Sequence, residues 1–143
     1  MKKLSKVLVL LLVVVFAAFA LSACGANEGT GANKVTLVVI DENGTELFNK
    51  TFKTDSATLK DVFDEKQIPY TMDASGTMVS SIYDKANPAD WSYCWMFYTN
   101  ADGMTDGTWP YTYKDVQYGS ASYGATELLM KDGATYVVVF VKF

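Results

Sequence analysis

The pattern of apolar and polar positions predicts a β-hairpin near the start of the folded part of the chain. Val35–Ile40 is a run of β-branched and apolar residues, which is typical of a buried strand. Asn43-Gly44 follows, and this dipeptide favours a tight hairpin because both residues tolerate positive φ. In Glu46–Thr54, Phe48 and Phe52 fall on one face, so we expect this segment to be the returning strand.

One helical pattern follows the hairpin. Three apolar residues at i, i+3 and i+4 spacing predict one buried helix face: Leu59, Val62 and Phe63. We expect the side chain of Asp55 or Ser56 to cap the first free N–H groups of this helix. Pro69 prevents the helix from continuing, because proline lacks an N–H and clashes with the preceding turn.

The rest of the chain consists of strand patterns and one long segment without them. Strand-forming runs occupy residues 70–72, 78–83, 91–99 and 135–143. Residues 100–123 are rich in Asp, Gly and Tyr and are predicted to form a long loop. One helix among about six strands predicts an α+β fold. In order along the chain, these elements favour a β-grasp-like, mostly antiparallel sheet with one helix packed on it.

The first 23 residues have the features of a signal peptide. Three lysines precede an unbroken apolar run, Val7–Leu21, which is shorter than the roughly 20 residues needed to span a bilayer. The run ends in Leu21-Ser22-Ala23-Cys24, which resembles the lipobox of bacterial lipoproteins. That resemblance implies removal of residues 1–23 and attachment of lipid to Cys24. An ordinary cleaved signal and an uncleaved anchor helix are the alternatives.

The same resemblance implies where the protein resides and how it is divided. Lipid on Cys24 would hold it at the extracytoplasmic face of the cell membrane. Residues 24–33 are small, polar and glycine-rich, as expected of a flexible tether, and residues 34–143 form the folded domain. After cleavage, nine lysines stand against 16 acidic residues, a net side-chain charge of −7. This charge disfavours nucleic acid as a partner.

Missing residue types limit the chemistry. The chain has no His and no Arg, so it lacks the usual general base near neutral pH and the bidentate clamp for anions. Cys94 lies among aromatic residues, which is typical of a buried, inert thiol. Asn100, Asp102 and Asp106 offer oxygen atoms, but their spacing does not match an EF-hand loop. We therefore expect no enzymatic activity, no metal site and no cofactor.

Aromatic residues are concentrated in the centre of the chain, where half of the 20 lie between Trp91 and Tyr123. Strand alternation places Tyr93 and Trp95 on one face, where they serve as core or as binding residues. The other candidates lie in the predicted loop: Trp109, Tyr111, Tyr113, Tyr118 and Tyr123. Loop-borne Trp and Tyr side chains are typical of recognition surfaces. The alternative is that the loop packs its own rings.

The second half of the chain also resembles a known family. Tyr93–Tyr98, and later Tyr123–Thr135 with its Lys-Asp-Gly turn and a terminal strand, resemble the transcobalamin-like C-terminal domain. Bacterial lipoproteins carry this domain singly (the DUF4430 family). The resemblance implies a β-grasp-like fold, which in the vertebrate cobalamin carriers covers one face of the corrinoid. By position, it implies ligand contacts from Tyr93, Trp95, Tyr123, Gly124 and Ala125.

Two functions follow from these observations. The first is a lipoprotein that captures a small ligand, with a corrinoid as the ligand implied by resemblance, and delivers it to a membrane transporter. The second is a cell-surface module whose aromatic loop binds a protein or a glycan. The arrangement of the rings distinguishes them, since a concave cluster suits a small ligand and a flat exposed stripe suits a protein or carbohydrate.

Overall fold

The structure is a computed structural model that describes residues 28–143. The predicted signal peptide, Cys24 and the first part of the predicted tether lie outside the described residues. Within the part of the chain that is described, no helix is long and apolar enough to cross a membrane.

Nine strands and one helix make up the fold. Their bounds are β1 Asn33–Ile40, β2 Glu46–Thr54, α1 Leu59–Glu65, β3 Tyr70–Met72, β4 Val79–Ile82, β5 Lys85–Ala86, β6 Tyr93–Thr99, β7 Tyr111–Tyr113, β8 Val116–Ser120 and β9 Thr135–Lys142, all within residues 28–143. The main sheet has the order β2-β1-β9-β6-β8-β7, and a small sheet has the order β3-β4-β5. Only β1 and β9 pair in parallel among the described strands. The predicted α+β class with a mostly antiparallel sheet is therefore confirmed.

The opening hairpin forms where the sequence predicts it. Gly44 has a φ of 80°, which suits glycine in the turn between β1 and β2. The carboxylate of Asp41 accepts hydrogen bonds from the backbone N–H groups of Asn43 (2.9 Å) and Thr45 (2.8 Å). A turn whose N–H groups are satisfied by its own side chain holds the register of the two strands.

The helix begins at a different cap from the one predicted. The cap is Thr58, whose hydroxyl accepts from the Asp61 N–H (3.3 Å), while the Asp61 carboxylate accepts from the Thr58 N–H (3.0 Å). Asp55 and Ser56 are engaged elsewhere, so the predicted caps are wrong: Asp55 accepts from the Ala32 N–H, and the Ser56 hydroxyl donates to Glu65. The predicted apolar stripe is confirmed, since it is buried against the main sheet.

The two faces of the main sheet have different covers. One face packs against α1 and the small sheet, and we call these buried residues the helix-side core. The other face is covered by the β7–β8 hairpin, residues 111–120, which we call the strap. The strap pairs with the end of β6 at the edge of the sheet, and its tyrosines pack on this face. The strap packs on Val38, Ile40, Tyr98, Val137 and Val139.

The strap corrects the prediction of a long loop over residues 100–123. Tyr111–Tyr113 and Val116–Ser120 form two short strands in that segment. Lys114 and Asp115 join them, and both have positive φ, at 47° and 63°. These two residues make the tight turn that glycine or asparagine usually makes, so the sequence carries no strong turn signal.

Candidate functional site

Strand β6 divides its side chains between the two faces of the main sheet, as the alternation predicts. Tyr93, Trp95 and Phe97 face the helix-side core, while Met96 and Tyr98 face the strap. Trp95 is only 4% exposed, and its indole Nε1–H donates to the backbone oxygen of Lys85 (2.8 Å). Trp95 is therefore a core residue that fixes β5 beside β6.

A groove opens where β6 begins. Its volume is about 330 Å³, and we call it the aromatic groove; its lining consists of Glu42, Ala86, Pro88, Ser92, Tyr93 and Phe140. The rings of Tyr93 and Phe140 stack with centroids 5.3 Å apart and an angle of 26°. The Trp95 ring lies 4.9 Å from Phe140 on the buried side. Three packed rings thus give the groove a floor that is held by the core.

The turn between β1 and β2 brings charge to the rim of the groove. Lys85 donates from its Nζ to Glu42 Oε1 at 2.6 Å, and this hydrogen bond lowers the pKa of Glu42. The neighbouring Asp41 also has a lowered pKa, chiefly because its carboxylate accepts from the Thr45 backbone N–H. Both carboxylates are therefore ionised at neutral pH, and Lys85 neutralises one of them.

Two exposed aromatic residues are backbone neighbours of Ser92, which lines the groove. Trp91 is 51% exposed and Phe143 is 62% exposed. The Phe143 N–H donates to the backbone oxygen of Ser92 at 3.0 Å, which extends the pairing of β9 with β6. Trp91 directly precedes Ser92, so both large side chains flank a residue that lines the groove.

The strap uses its tyrosines to cover the sheet. Tyr118 is buried, and the Tyr111 ring packs against Tyr98 with centroids 5.1 Å apart. The Tyr113 hydroxyl donates to Glu46 Oε1 (2.5 Å) and accepts from Asn49 Nδ2 (3.1 Å), which ties the end of the strap to β2. Three of the five candidate residues of the predicted loop therefore pack their rings on the protein itself.

The other two candidates of that segment are exposed. Trp109 is 72% exposed in the bend before β7, and Tyr123 is 42% exposed after β8. The Ser120 N–H donates to the backbone oxygen of Thr108, the residue before Trp109, and Ser120 pairs with Tyr98 near the end of β6. The groove lies at the other end of β6, at its first residue, Tyr93. Since β6 has seven residues, about 20 Å separate its ends. Trp109 and the aromatic groove are separate features.

The last two candidates lie away from the groove, and one of them contacts the helix. Ala125 is buried, and its carbonyl accepts from the Lys60 N–H in the first turn of α1 (2.9 Å). Gly124 is exposed, and a Cβ at its position would lie 3.3 Å from the backbone oxygen of Thr77. Of the residues that the resemblance implies, only Tyr93 lines the aromatic groove.

A second, polar cleft lies at the opposite end of β6. Its volume is about 310 Å³, and its lining consists of Asn100, Ala101, Asp102, Lys131, Asp132, Gly133 and Ala134. Asn100 Oδ1 accepts from the Thr135 N–H (2.8 Å), and Asp132 Oδ1 accepts from the Lys34 N–H (2.7 Å). These two side chains hold the turns on either side of the cleft.

Metal-ligating side chains do not cluster within residues 28–143, and Cys94 is the one thiol in this range. No group of three or more His, Cys, Asp or Glu side chains in this range is placed to hold a metal. Cys94 is half-buried on the strap side of β6, and burial raises the pKa of its thiol. A raised pKa keeps the thiol protonated and weakly reactive at neutral pH.

Comparison with known proteins identifies a related fold. No protein-family model matches the chain, and no curated protein matches it. Among solved structures, it is similar to a protein from Ruminococcus gnavus ATCC 29149 that is described as a candidate metal-binding protein. The two are 13% identical, with a TM-score of 0.56, over 78% of this chain and 99% of the other. At this identity the similarity concerns the fold alone.

Sequence reasoning missed most of the groove. Glu42 directly precedes the predicted Asn43-Gly44 turn, and Phe140 lies in the strand-forming run 135–143, so neither was a candidate site residue. They come together only through the pairing of β1 with β9 and of β9 with β6. Alternation along β9 does place Phe140 on the same face as Tyr136 and Val138, and this was the one local signal available.

Proposed function

We propose that this protein is a lipid-anchored, extracytoplasmic lipoprotein that binds a small organic ligand in the aromatic groove, for capture or for delivery to a transporter. The observation that carries the proposal is the stacked pair Tyr93 and Phe140 at the floor of an open groove. Lipid attachment at Cys24 rests on the lipobox-like sequence. Lipid attachment is tested by expressing the protein in a bacterial host with labelled fatty acid. We expect the wild type to incorporate the label and Cys24→Ser not to incorporate it.

The fold assignment that accompanies this proposal is the β-grasp. Its support is the strand order β2-β1-β9-β6, the parallel pairing of β1 with β9, and a helix that directly follows the first hairpin. This order agrees with the fold that the transcobalamin-like resemblance implies. That resemblance also supplies the first ligand to test, a corrinoid.

An organic ligand suits the groove better than a metal ion does. Aromatic, proline and alanine side chains provide most of the lining, and Glu42 is its single carboxylate. Lys85 already pairs with that carboxylate. A groove of about 330 Å³ is at the small end of ligand pockets, so a corrinoid would lie across it rather than inside it.

The test is a titration of the full-length protein in detergent with cobinamide, followed by calorimetry and by tryptophan fluorescence corrected for corrinoid absorbance. We expect saturable binding that weakens at least tenfold in Tyr93→Leu, because the floor of the groove loses its ring. Trp109→Ala, which removes an exposed ring far from the groove, is the matched control and is expected to bind as the wild type does. Absence of saturable heat up to about 1 mM cobinamide, an affinity of roughly −4 kcal/mol, would remove corrinoids from the proposal.

One observation favours the second candidate function, a surface module for a protein or a glycan. Trp109 is the most exposed of the large hydrophobic side chains within residues 28–143, and Val116 of the strap is also exposed. If binding of a protein or glycan partner is lost in Trp109→Ala but not in Tyr93→Leu, this second function replaces the first.

A further inference from the structure

Each of the three polar side chains that line the aromatic groove offers a hydrogen-bond acceptor to a ligand. Glu42 Oε1 accepts from Lys85, and Oε2 receives no hydrogen bond from any side chain within residues 28–143. The Ser92 hydroxyl donates its proton to Asp90 Oδ1 (2.8 Å), which leaves the lone pairs of its oxygen available. The Tyr93 hydroxyl makes no hydrogen bond to the described residues and can accept as well as donate.

Negative charge exceeds positive charge around this groove. Four carboxylates lie on the lining or within two residues of it, against two ammonium groups: Asp41, Glu42, Asp84 and Asp90 against Lys85 and Lys142. Lys85 is engaged with Glu42. Lys142 pairs with Tyr93 in the register of β9 with β6, which places it on the same face at the outer end of the strand. An anionic ligand would be repelled here, and a cationic one attracted.

The aromatic floor of the groove also attracts a cation. Tyr93 and Phe140 present stacked aromatic rings to the groove. The face of an aromatic ring is electron-rich and attracts a cation that lies within about 6 Å of its centre. The same rings bind the apolar body of a ligand by burying it.

We propose that the group entering the aromatic groove is a protonated organic amine, with its ammonium at the Glu42 carboxylate and its apolar or aromatic body on Tyr93 and Phe140. An ammonium supplies the N–H donors that the acceptors of the lining require, and it competes with Lys85 for the Glu42 carboxylate. This inference rests on the proposed function and names the chemical class of the group that enters the groove, whatever larger molecule carries it.

The experiment compares three probes that share a phenylethyl body and differ in charge, on the full-length protein in detergent. The probes are phenethylammonium, 2-phenylethanol and 3-phenylpropionate, each titrated at constant pH and ionic strength with observation by NMR or calorimetry. We expect the ammonium to bind at least tenfold more tightly than the alcohol, and the carboxylate to bind least. Tyr93→Leu is expected to weaken binding of both the ammonium and the alcohol, because the phenyl bodies of both pack on the rings.

Two variants with opposite expected signs isolate the charge. Glu42→Gln keeps the shape of the side chain and is expected to reduce binding of the ammonium at least tenfold while binding of the alcohol stays within twofold. Lys85→Met frees the Glu42 carboxylate, so binding of the ammonium is expected to increase. Glu127→Gln is the matched control, because it replaces an exposed carboxylate outside the groove with a carboxamide. Urea unfolding midpoints are measured for all the variants, to check that each one is folded.

The possible failures are distinguishable. If the alcohol binds as tightly as the ammonium, or if Glu42→Gln leaves their ratio unchanged, the amine inference is overturned and the groove remains a site for neutral ligands. If the carboxylate binds best, the inference is overturned and Lys85 or Lys142 becomes the contact to test. If neither these probes nor cobinamide bind, the proposed function falls together with the inference.

Discussion

The two faces of the main sheet are built very differently. Among the described residues, nineteen buried side chains form the helix-side core, whereas six form the core beneath the strap. The first cover is held at many places, including backbone bonds from the start of α1 to Ala125 and Leu128. The strap is joined to β6 by only two register pairs, at Tyr98 and Thr99, and by side-chain contacts at its far end.

This difference in packing determines which face can hold a rigid binding site. The aromatic groove opens on the heavily packed face, so Phe140 and Trp95 beneath it are fixed by the core. On the other face, the aromatic residues of the strap pack on the sheet itself. Segments with few buried contacts and exposed hydrogen bonds open at lower free energy than a central core does. We therefore expect the two faces to respond differently to substitution.

The largest expected effect is the loss of a ring from the helix-side core. Phe63 is fully buried on α1, with its ring 5.5 Å from Tyr70. We expect Phe63→Ala to lower the free energy of unfolding by about 3–5 kcal/mol, because the cavity cannot collapse in a core fixed on several sides. Urea unfolding followed by circular dichroism measures this. Phe143→Ala, an exposed ring, is the control and should change stability by less than about 0.5 kcal/mol.

A smaller and more local effect is expected beneath the strap. Tyr118 is buried there, but it belongs to a short hairpin that can move to fill a cavity. We expect Tyr118→Ala to cost about 2 kcal/mol, less than the Phe63 variant. Amides of β7 and β8 should lose protection from hydrogen exchange before those of β1 and β9 do. Equal loss of protection in both regions would show that the two faces unfold as one unit.

The same contrast explains what the sequence allowed us to predict. β2 has the predicted bounds, and α1 has the predicted apolar stripe, because local periodicity and a covering element agree there. The strap was missed because three-residue and five-residue strands give little alternation, and Lys114-Asp115 is an unusual pair at positive φ. The helix cap was missed because Asp55 and Ser56 are suitable residue types, and only tertiary contacts engage them elsewhere.

The candidate site was harder to predict than the fold. Tyr93 was recognised from the alternation of β6 and from the resemblance, but the aromatic density of residues 100–123 drew attention to rings that the strap packs on the sheet. Nothing in the local sequence distinguishes a tyrosine that packs on a sheet from one that contacts a ligand. Glu42 and Phe140 reach the groove from distant strands, and that proximity depends on strand order.

The smallest expected effect concerns the far end of the strap at low pH. The hydrogen bond from Tyr113, with further bonds from Asn49 and Lys114, lowers the pKa of Glu46 from 4.5 to about 2. A depressed pKa in the folded state means that the contribution to stability is present above pH 4.5 and is lost as the pH falls towards 2. Because these groups are exposed and screened by solvent, the contribution is small and local.

We therefore expect protection of the strap amides, corrected for intrinsic exchange rates, to decrease between pH 4.5 and pH 2 in the wild type. In Glu46→Gln, that decrease should be largely absent, because the side chain no longer gains a proton. Asp73 also has a pKa of about 2, lowered chiefly by its hydrogen bond with Ser75, but it lies in the turn between β3 and β4. Asp73→Asn is thus the matched control and should leave the strap profile unchanged. If the wild type and Glu46→Gln lose strap protection identically, Glu46 does not fasten the strap, and packing of Tyr98, Tyr111 and Tyr118 alone holds this face closed.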